Sequence, residues 1–160
     1  MTNDKIPPII LKFAEDEDGK ILTNINVLKA DHLSHGEVEF KVDTGATLTI
    51  INHEHLANLG YTQEFLQNCP RYTKKNVTTA DGTSIQLRYL PDISLMFEDS
   101  EIQQCEIYFS LESDMRTLFG TDILQLFNIM IDYDSGEVRL YKRNIEPVSG
   151  KGQPQVYSLD

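Results

Sequence analysis

The sequence predicts a mainly β fold, a small closed barrel or sandwich with one or two short helices, and three observations lead there. Apolar and polar residues alternate at period two, cleanly in Glu37-Val38-Glu39-Phe40-Lys41-Val42 and again in Ser84-Ile85-Gln86-Leu87-Arg88-Tyr89, as half-buried strands do. Turn signals recur roughly every 8 to 12 residues, the spacing of short antiparallel strands and not of βαβ units. Helical periodicity is scarce by comparison. No internal repeat is present.

Taken in order, Met1 to Pro8 is polar and proline-marked and reads as a flexible arm. The folded domain is expected over 9–147, opening with extended segments at Ile9 to Phe13 and Ile21 to Leu28 around the solvated turn Asp16-Glu17-Asp18-Gly19. The strand Glu37 to Val42 follows, then two helical turns over His53 to Leu59. After Ser84 to Tyr89, the dipeptide Pro91-Asp92 marks a break, and Ile93, Leu95 and Phe97 resume the alternation. Cys105 to Phe109 is a further strand; Thr121 to Phe127 reads as a short helix capped by Thr121 with Asp122 in its first turn. Asp134-Ser135-Gly136 turns the chain into Val138-Arg139-Leu140, and 148–160, with two glycines, a proline and no apolar period, reads as a disordered tail.

Composition narrows the function. At 160 residues and 40% hydrophobic content the chain is one domain with enough apolar material for its own core. Its 25 acidic and 14 basic residues leave a charge of −11, which argues against a nucleic-acid partner because phosphate binding draws on clustered Lys and Arg. No apolar run approaches the roughly 20 residues that span a bilayer, and no signal-peptide core follows the N-terminus, so a cytoplasmic protein without a membrane partner is expected. Cys69 and Cys105 form neither a metal-ligand pair nor a disulfide framework. The histidine pairs His32/His35 and His53/His55 lack the four-residue helical step of a zinc site, and Asp16-Glu17-Asp18-Gly19 lacks the glutamate that closes a calcium loop, position 27 being Val. No metal or cofactor is expected. Phosphate-binding glycine loops and G-x-S-x-G elbows are missing as well.

One constellation carries chemistry. The strand ending at Val42 runs into Asp43-Thr44-Gly45-Ala46-Thr47 and then the apolar Leu48, Ile50 and Ile51, which sets a carboxylate at the end of a buried strand. Gly45 allows a tight turn whose N–H faces a neighbouring oxygen, and the Thr44 hydroxyl can lock the loop from inside. Taken alone, the tripeptide also fits an aspartate that merely caps a turn. Its surroundings add more. Asp43-Thr44-Gly45-Ala46 resembles the active-site loop of the retropepsin-like aspartic proteases, and Leu118-Phe119-Gly120, opening Thr121-Asp122-Ile123-Leu124, is similar to that family's second signature. Val77 to Ile85 resembles the flap hairpin, with Thr79, Ala80, Asp81 and Gly82 at its tip; Ile129 to Tyr133 and Val138 to Leu140 resemble the closing strands.

The resemblance implies a small closed barrel of the retropepsin type and an aspartic endopeptidase with Asp43 as its catalytic residue. Such chemistry needs a water between two carboxylates, one ionised as general base and one protonated. Only one D-T-G is present, and Asp134-Ser135-Gly136 lacks the apolar run that follows Asp43. The second carboxylate must then come from a second copy, in a twofold homodimer acting on a peptide or protein substrate. The resemblance further implies that each Thr44 bonds across to the other loop. The flap tip departs from the retroviral pattern in carrying Asp81 in place of a glycine-rich run. The alternative is a retropepsin fold kept as a binding or assembly module without turnover.

Overall fold

The computed structural model describes residues 7–29, 34–74, 77–78, 81–144 and 154–158. Within these, strands β1 (Ile9–Glu15) and β2 (Ile21–Leu28) fall on the two extended segments expected at the start of the domain, and β3 (His35–Val42) follows the expected alternation, with Val38, Phe40 and Val42 entering the core while Glu37 and Glu39 face out. Two helices, α1 (His53–Asn58) and α2 (Gln63–Gln67), lead to the short strands β4 (Val77–Thr78) and β5 (Ser84–Ile85). Then come β6 (Arg88–Met96), β7 (Ser100–Phe109), β8 (Leu118–Phe119), α3 (Thr121–Leu124), β9 (Phe127–Asp132), β10 (Glu137–Lys142) and β11 (Gln155–Ser158).

Nine strands form one sheet, in the order β11-β7-β6-β2-β1-β10-β9 with β3 and β8 branching from β2. The branch explains the shape. Strand β2 pairs with β3 along one edge and divides the other edge between β1, at Ile21–Thr23, and β6, at Asn26–Leu28. Strand β1 then leaves β2 and pairs with β10 through Ile9 to Lys12. One strand serving two neighbours in succession curls the sheet into a half-barrel around a core that includes Ile25, Phe40, Ile51, Leu95, Ile107 and Phe119. Phe40 and Phe119 meet edge to face at 6.0 Å, tying β3 to β8.

Several elements differ from expectation. Ser84 to Tyr89 is not one strand: Leu87 O accepts from Tyr72 N and Tyr89 N donates to Pro70 O, so the chain leaves the β4–β5 hairpin and pairs with 70–72 as it enters β6. Pro91-Asp92 does not divide two strands. Asp92, at φ 60°, sits in a register shift between Leu90 and Ile93, a bulge that holds the exposed, donor-less Pro91 inside β6. The helix expected from Thr121 to Phe127 ends at Leu124, and its cap is Gly120, not Thr121. Helix α2 lacks an apolar period, yet it carries a legible start in Thr62, whose hydroxyl accepts from Phe65 N at 3.1 Å. Within the expected disordered tail at 148–160, residues 155–158 form β11, because the free edge of β7 accepts them in register from Gln155↔Gln103 to Ser158↔Ser100. The remainder of that tail, apart from Pro154, lies outside the described residues, as do residues 1–6 of the arm.

The other turns match their sequence. Asp16 Oδ1 accepts from Asp18 N and Lys20 N, both at 2.9 Å, between β1 and β2. Asp132 Oδ1 accepts from Asp134 N and Ser135 N, which makes Asp134-Ser135-Gly136 a surface turn between β9 and β10. Among the described residues no helix is long and apolar enough to cross a membrane.

Candidate active site

Asp43 follows directly from β3. Its own N–H donates to Phe119 O at 3.0 Å, continuing the parallel pairing of Lys41 with Leu118 and Val42 with Phe119. The loop then turns: Ala46 N donates to Asp43 O at 3.2 Å, and Gly45 N donates to Asp43 Oδ1 at 2.9 Å. A Cβ on Gly45 would lie 3.3 Å from that same Oδ1, so close approach to the carboxylate is what the glycine serves.

The second signature clamps the loop from behind. Ala46 O accepts from both Thr121 N at 2.8 Å and Thr121 Oγ1 at 3.1 Å. Gly120 passes so near that an added Cβ would stand 2.3 Å from Leu48 O, a separation no side chain can occupy. Thr49 completes the clamp: its hydroxyl donates to Asp122 Oδ1 at 2.6 Å and accepts from Gly120 N at 3.1 Å, while its N–H donates to Asp122 Oδ2 at 3.0 Å. The inward lock is therefore Thr49. Thr44, expected to lock the loop from inside, is exposed at the turn, and its hydroxyl makes no hydrogen bond among the described residues.

The electrostatics separate the two aspartates of this crossing. Partial burial raises the Asp43 carboxyl, but the Gly45 N–H and the Lys41 ammonium, 3.3 Å from Oδ2, outweigh it and hold the group below the ordinary aspartate value. Burial pushes Asp122 up, and the Thr49 and Ile123 donors offset only part of that. Asp43 keeps 27% of its side chain open to solvent. An oriented, ionised and reachable carboxylate suits a general base; the enclosed Asp122 suits a brace. Burial also raises the thiols of Cys69 and Cys105, so neither is set up as a nucleophile.

The hairpin β4–β5 pairs Val77 with Ile85 and Thr78 with Ser84. Asp81 Oδ1 accepts from Thr83 N at 3.0 Å and Gly82 adopts φ 85°, a tight turn at an exposed tip. The tip residues Thr79 and Ala80 lie outside the described residues. Val77 and Ile85 pack with Leu48, Ile50, Leu118 and a tyrosine group in which Tyr72 and Tyr108 meet edge to face at 5.1 Å. That cluster is separate from the main core and joins the hairpin base to residues flanking both signatures. Sequence reasoning missed Lys41 and Thr49 as members of this region and gave Asp122, within the second signature, no partner. Period two could have found Lys41, two residues before Asp43; nothing in sequence marks the pairing of Thr49 with a carboxylate 73 positions away. A cavity of about 410 Å³ beside Lys41 is lined also by Asn52, His55, Met115 and Arg116. The larger concavity, about 730 Å³, includes no residue of the Asp43 loop. Among the described residues no group of three or more His, Cys, Asp or Glu could hold a metal ion; His32 is outside them.

Comparisons with known proteins bear on the family and the fold. Among curated proteins none matches. A retropepsin-like aspartic protease from Rickettsia conorii is similar in structure at TM-score 0.53, with 21% identity over 88% of this chain and 95% of that one, and it shows the fold. EIAV protease complexed with the inhibitor HBY-793 aligns at TM-score 0.49 and 17% identity over 70% of this chain and 91% of its own, a likeness too slight to carry an argument. The family model described as gag-polyprotein putative aspartyl protease matches residues 32–126, a span that holds the Asp43 loop, the β4–β5 hairpin and Leu118-Phe119-Gly120. More than half of the chain fits that model, and the chain belongs to this aspartyl protease family, with a retropepsin-like fold.

Proposed function

We propose that the chain is an aspartic endopeptidase that works as a twofold homodimer, with Asp43 of each copy facing the other across the axis. The observation that carries this reading is the state of Asp43: one ionised carboxylate, fixed at a strand end by the second signature and still open to solvent. A lone carboxylate cannot both take a proton from water and give one to a carbonyl. Two brought together share a proton, because like charges so close cannot both ionise, and the pair then performs both steps. The ionised member draws a proton from the bound water as it attacks the peptide carbonyl; the protonated member hydrogen-bonds the carbonyl oxygen and later a proton passes to the leaving amine.

The exposed Thr44 supports the reading, since its hydroxyl, without a hydrogen bond among the described residues, can bond across to a second loop. So does the end of the sheet at β9, whose outer edge is unpaired among the described residues and whose Met130 is 47% exposed. An extended peptide would lie between the hairpins and the floor formed by Leu48, Ile50 and Leu118, presenting alternate side chains to apolar pockets. Two copies double the −11 charge, which disfavours acidic peptides and favours neutral or basic flanks.

Sedimentation with peptide-library cleavage from roughly pH 3 to pH 8 tests the proposal, using wild type and Asp43→Asn. A bell-shaped profile in the wild type and loss of cleavage in the variant are expected. Cleavage that persists in Asp43→Asn removes the aspartic mechanism, and a strict monomer that cleaves removes the shared site. A folded wild type that cleaves nothing leaves the binding or assembly module.

A further inference from the structure

Lys41 lies in β3 and Asp43 one residue past its end, and the Lys41 ammonium stands 3.3 Å from Asp43 Oδ2. Gly45 N–H holds the other oxygen at 2.9 Å, so each carboxylate oxygen has a fixed partner. The lysine is not a loose surface cation. Its backbone N–H donates to Thr117 O at 3.0 Å, its strand position pairs with Leu22 on one side and Leu118 on the other, and its side chain is only 17% exposed. Other charged groups face the same cavity: Glu39 on β3, His55 on α1, and Asp114 and Arg116 from the segment before β8. Arg116 is engaged by Asp16 at 2.9 Å. Among the described residues the ion pair of Lys41 is made with Asp43.

We propose that Lys41 is a positioning residue for the reaction: it is a counter-ion built into the Asp43 strand, which aims the carboxylate and sets the pH range over which two Asp43 groups share one proton. The inference rests on the dimeric peptidase reading above. Physically, bringing two carboxylates together raises the cost of ionising both, and a cation beside each lowers both proton-loss steps of the pair. The whole bell of activity is thereby displaced toward acid, with its width set by the carboxylates themselves.

The test compares wild type, Lys41→Met and Lys41→Arg in pH profiles of kcat/KM, alongside carboxyl carbon NMR titration of Asp43 in the intact chain. Lys41→Met is expected to move both limbs upward by about one pH unit, and Lys41→Arg to restore them to near the wild-type positions. The Asp43 resonance should titrate at higher pH in Lys41→Met than in wild type, whether or not the protein cleaves anything. Coincident profiles, or an Asp43 titration indifferent to the loss of Lys41, overturn the proposal. An inactive wild type in which Lys41→Met still shifts the Asp43 titration overturns the peptidase reading and leaves the ion pair standing. Lys41→Gln, polar and uncharged, repeats the comparison where Lys41→Met does not fold.

Discussion

Asp43 and Asp122 lie on the two sides of one loop crossing and treat a carboxylate in opposite ways. Asp43 follows the last residue of a strand, with one amide and one ammonium on its oxygens and an open side to solvent. Asp122 is enclosed in the first turn of α3, where Thr49 N, Thr49 Oγ1 and Ile123 N all donate to it. Burial dominates at Asp122 and raises it; at Asp43 nearby donors and a cation dominate and lower it. The difference teaches how one crossing can leave a conspicuous aspartate open to solvent while a hidden one is tied to Thr49 behind it.

The largest expected effect falls on the open side. Asp43→Asn should lower cleavage on the order of 10^3-fold, because the amide can neither ionise nor share a proton, while thermal unfolding stays near wild type. Loss of stability equal to that of a core variant would place Asp43 with the brace instead. On the enclosed side the ranking reverses. Gly120→Ala must drive a methyl into Leu48 O, and about 3 kcal/mol of unfolding free energy should disappear in urea titrations. A smaller loss, about 2 kcal/mol, is expected for Thr49→Val, which removes one of three donors to the half-buried Asp122 carboxylate and leaves Gly120 N without its acceptor. Were Thr49→Val neutral in stability, the clamp would be a consequence of the fold and not a cause.

The smallest effect separates the two aspartates by pH. Asp43, lowered in the folded chain, contributes stability that is present above the ordinary value of 3.8 and is lost as pH falls through its folded value. Asp122, raised, has the opposite sign: between 3.8 and its higher folded value the native state binds more protons, so stability falls as pH rises through that window. Asp122→Asn should therefore shed less stability than wild type as pH rises from about 4 toward neutral. Parallel curves for the two proteins would mean that the Thr49 donors fully offset burial.

Much of this was legible from residues alone. Alternation identified β3 because Val38, Phe40 and Val42 share one core-facing side, and period two records that directly. The Asp43 loop was legible because strand, tight turn and apolar return are consecutive in the chain. What failed to show in sequence depends on partners far along it. Strand β11 contains only Val156 as a buried residue and exists because β7 offers a free edge. The bulge at Pro91-Asp92 keeps β6 continuous because β7 pairs on both sides of it.

The sequence by itself determined a mainly β chain with one D-T-G loop and a second signature downstream, since those features are written in short, local runs of residues. Only the tertiary structure decided which hydroxyl locks the loop, which aspartate is enclosed and which lysine stands beside Asp43. Burial, charge and hydrogen bonding at a carboxylate are set by whatever packs within a few ångströms of it, and here those neighbours arrive from β3, the Gly120 turn and α3 at once.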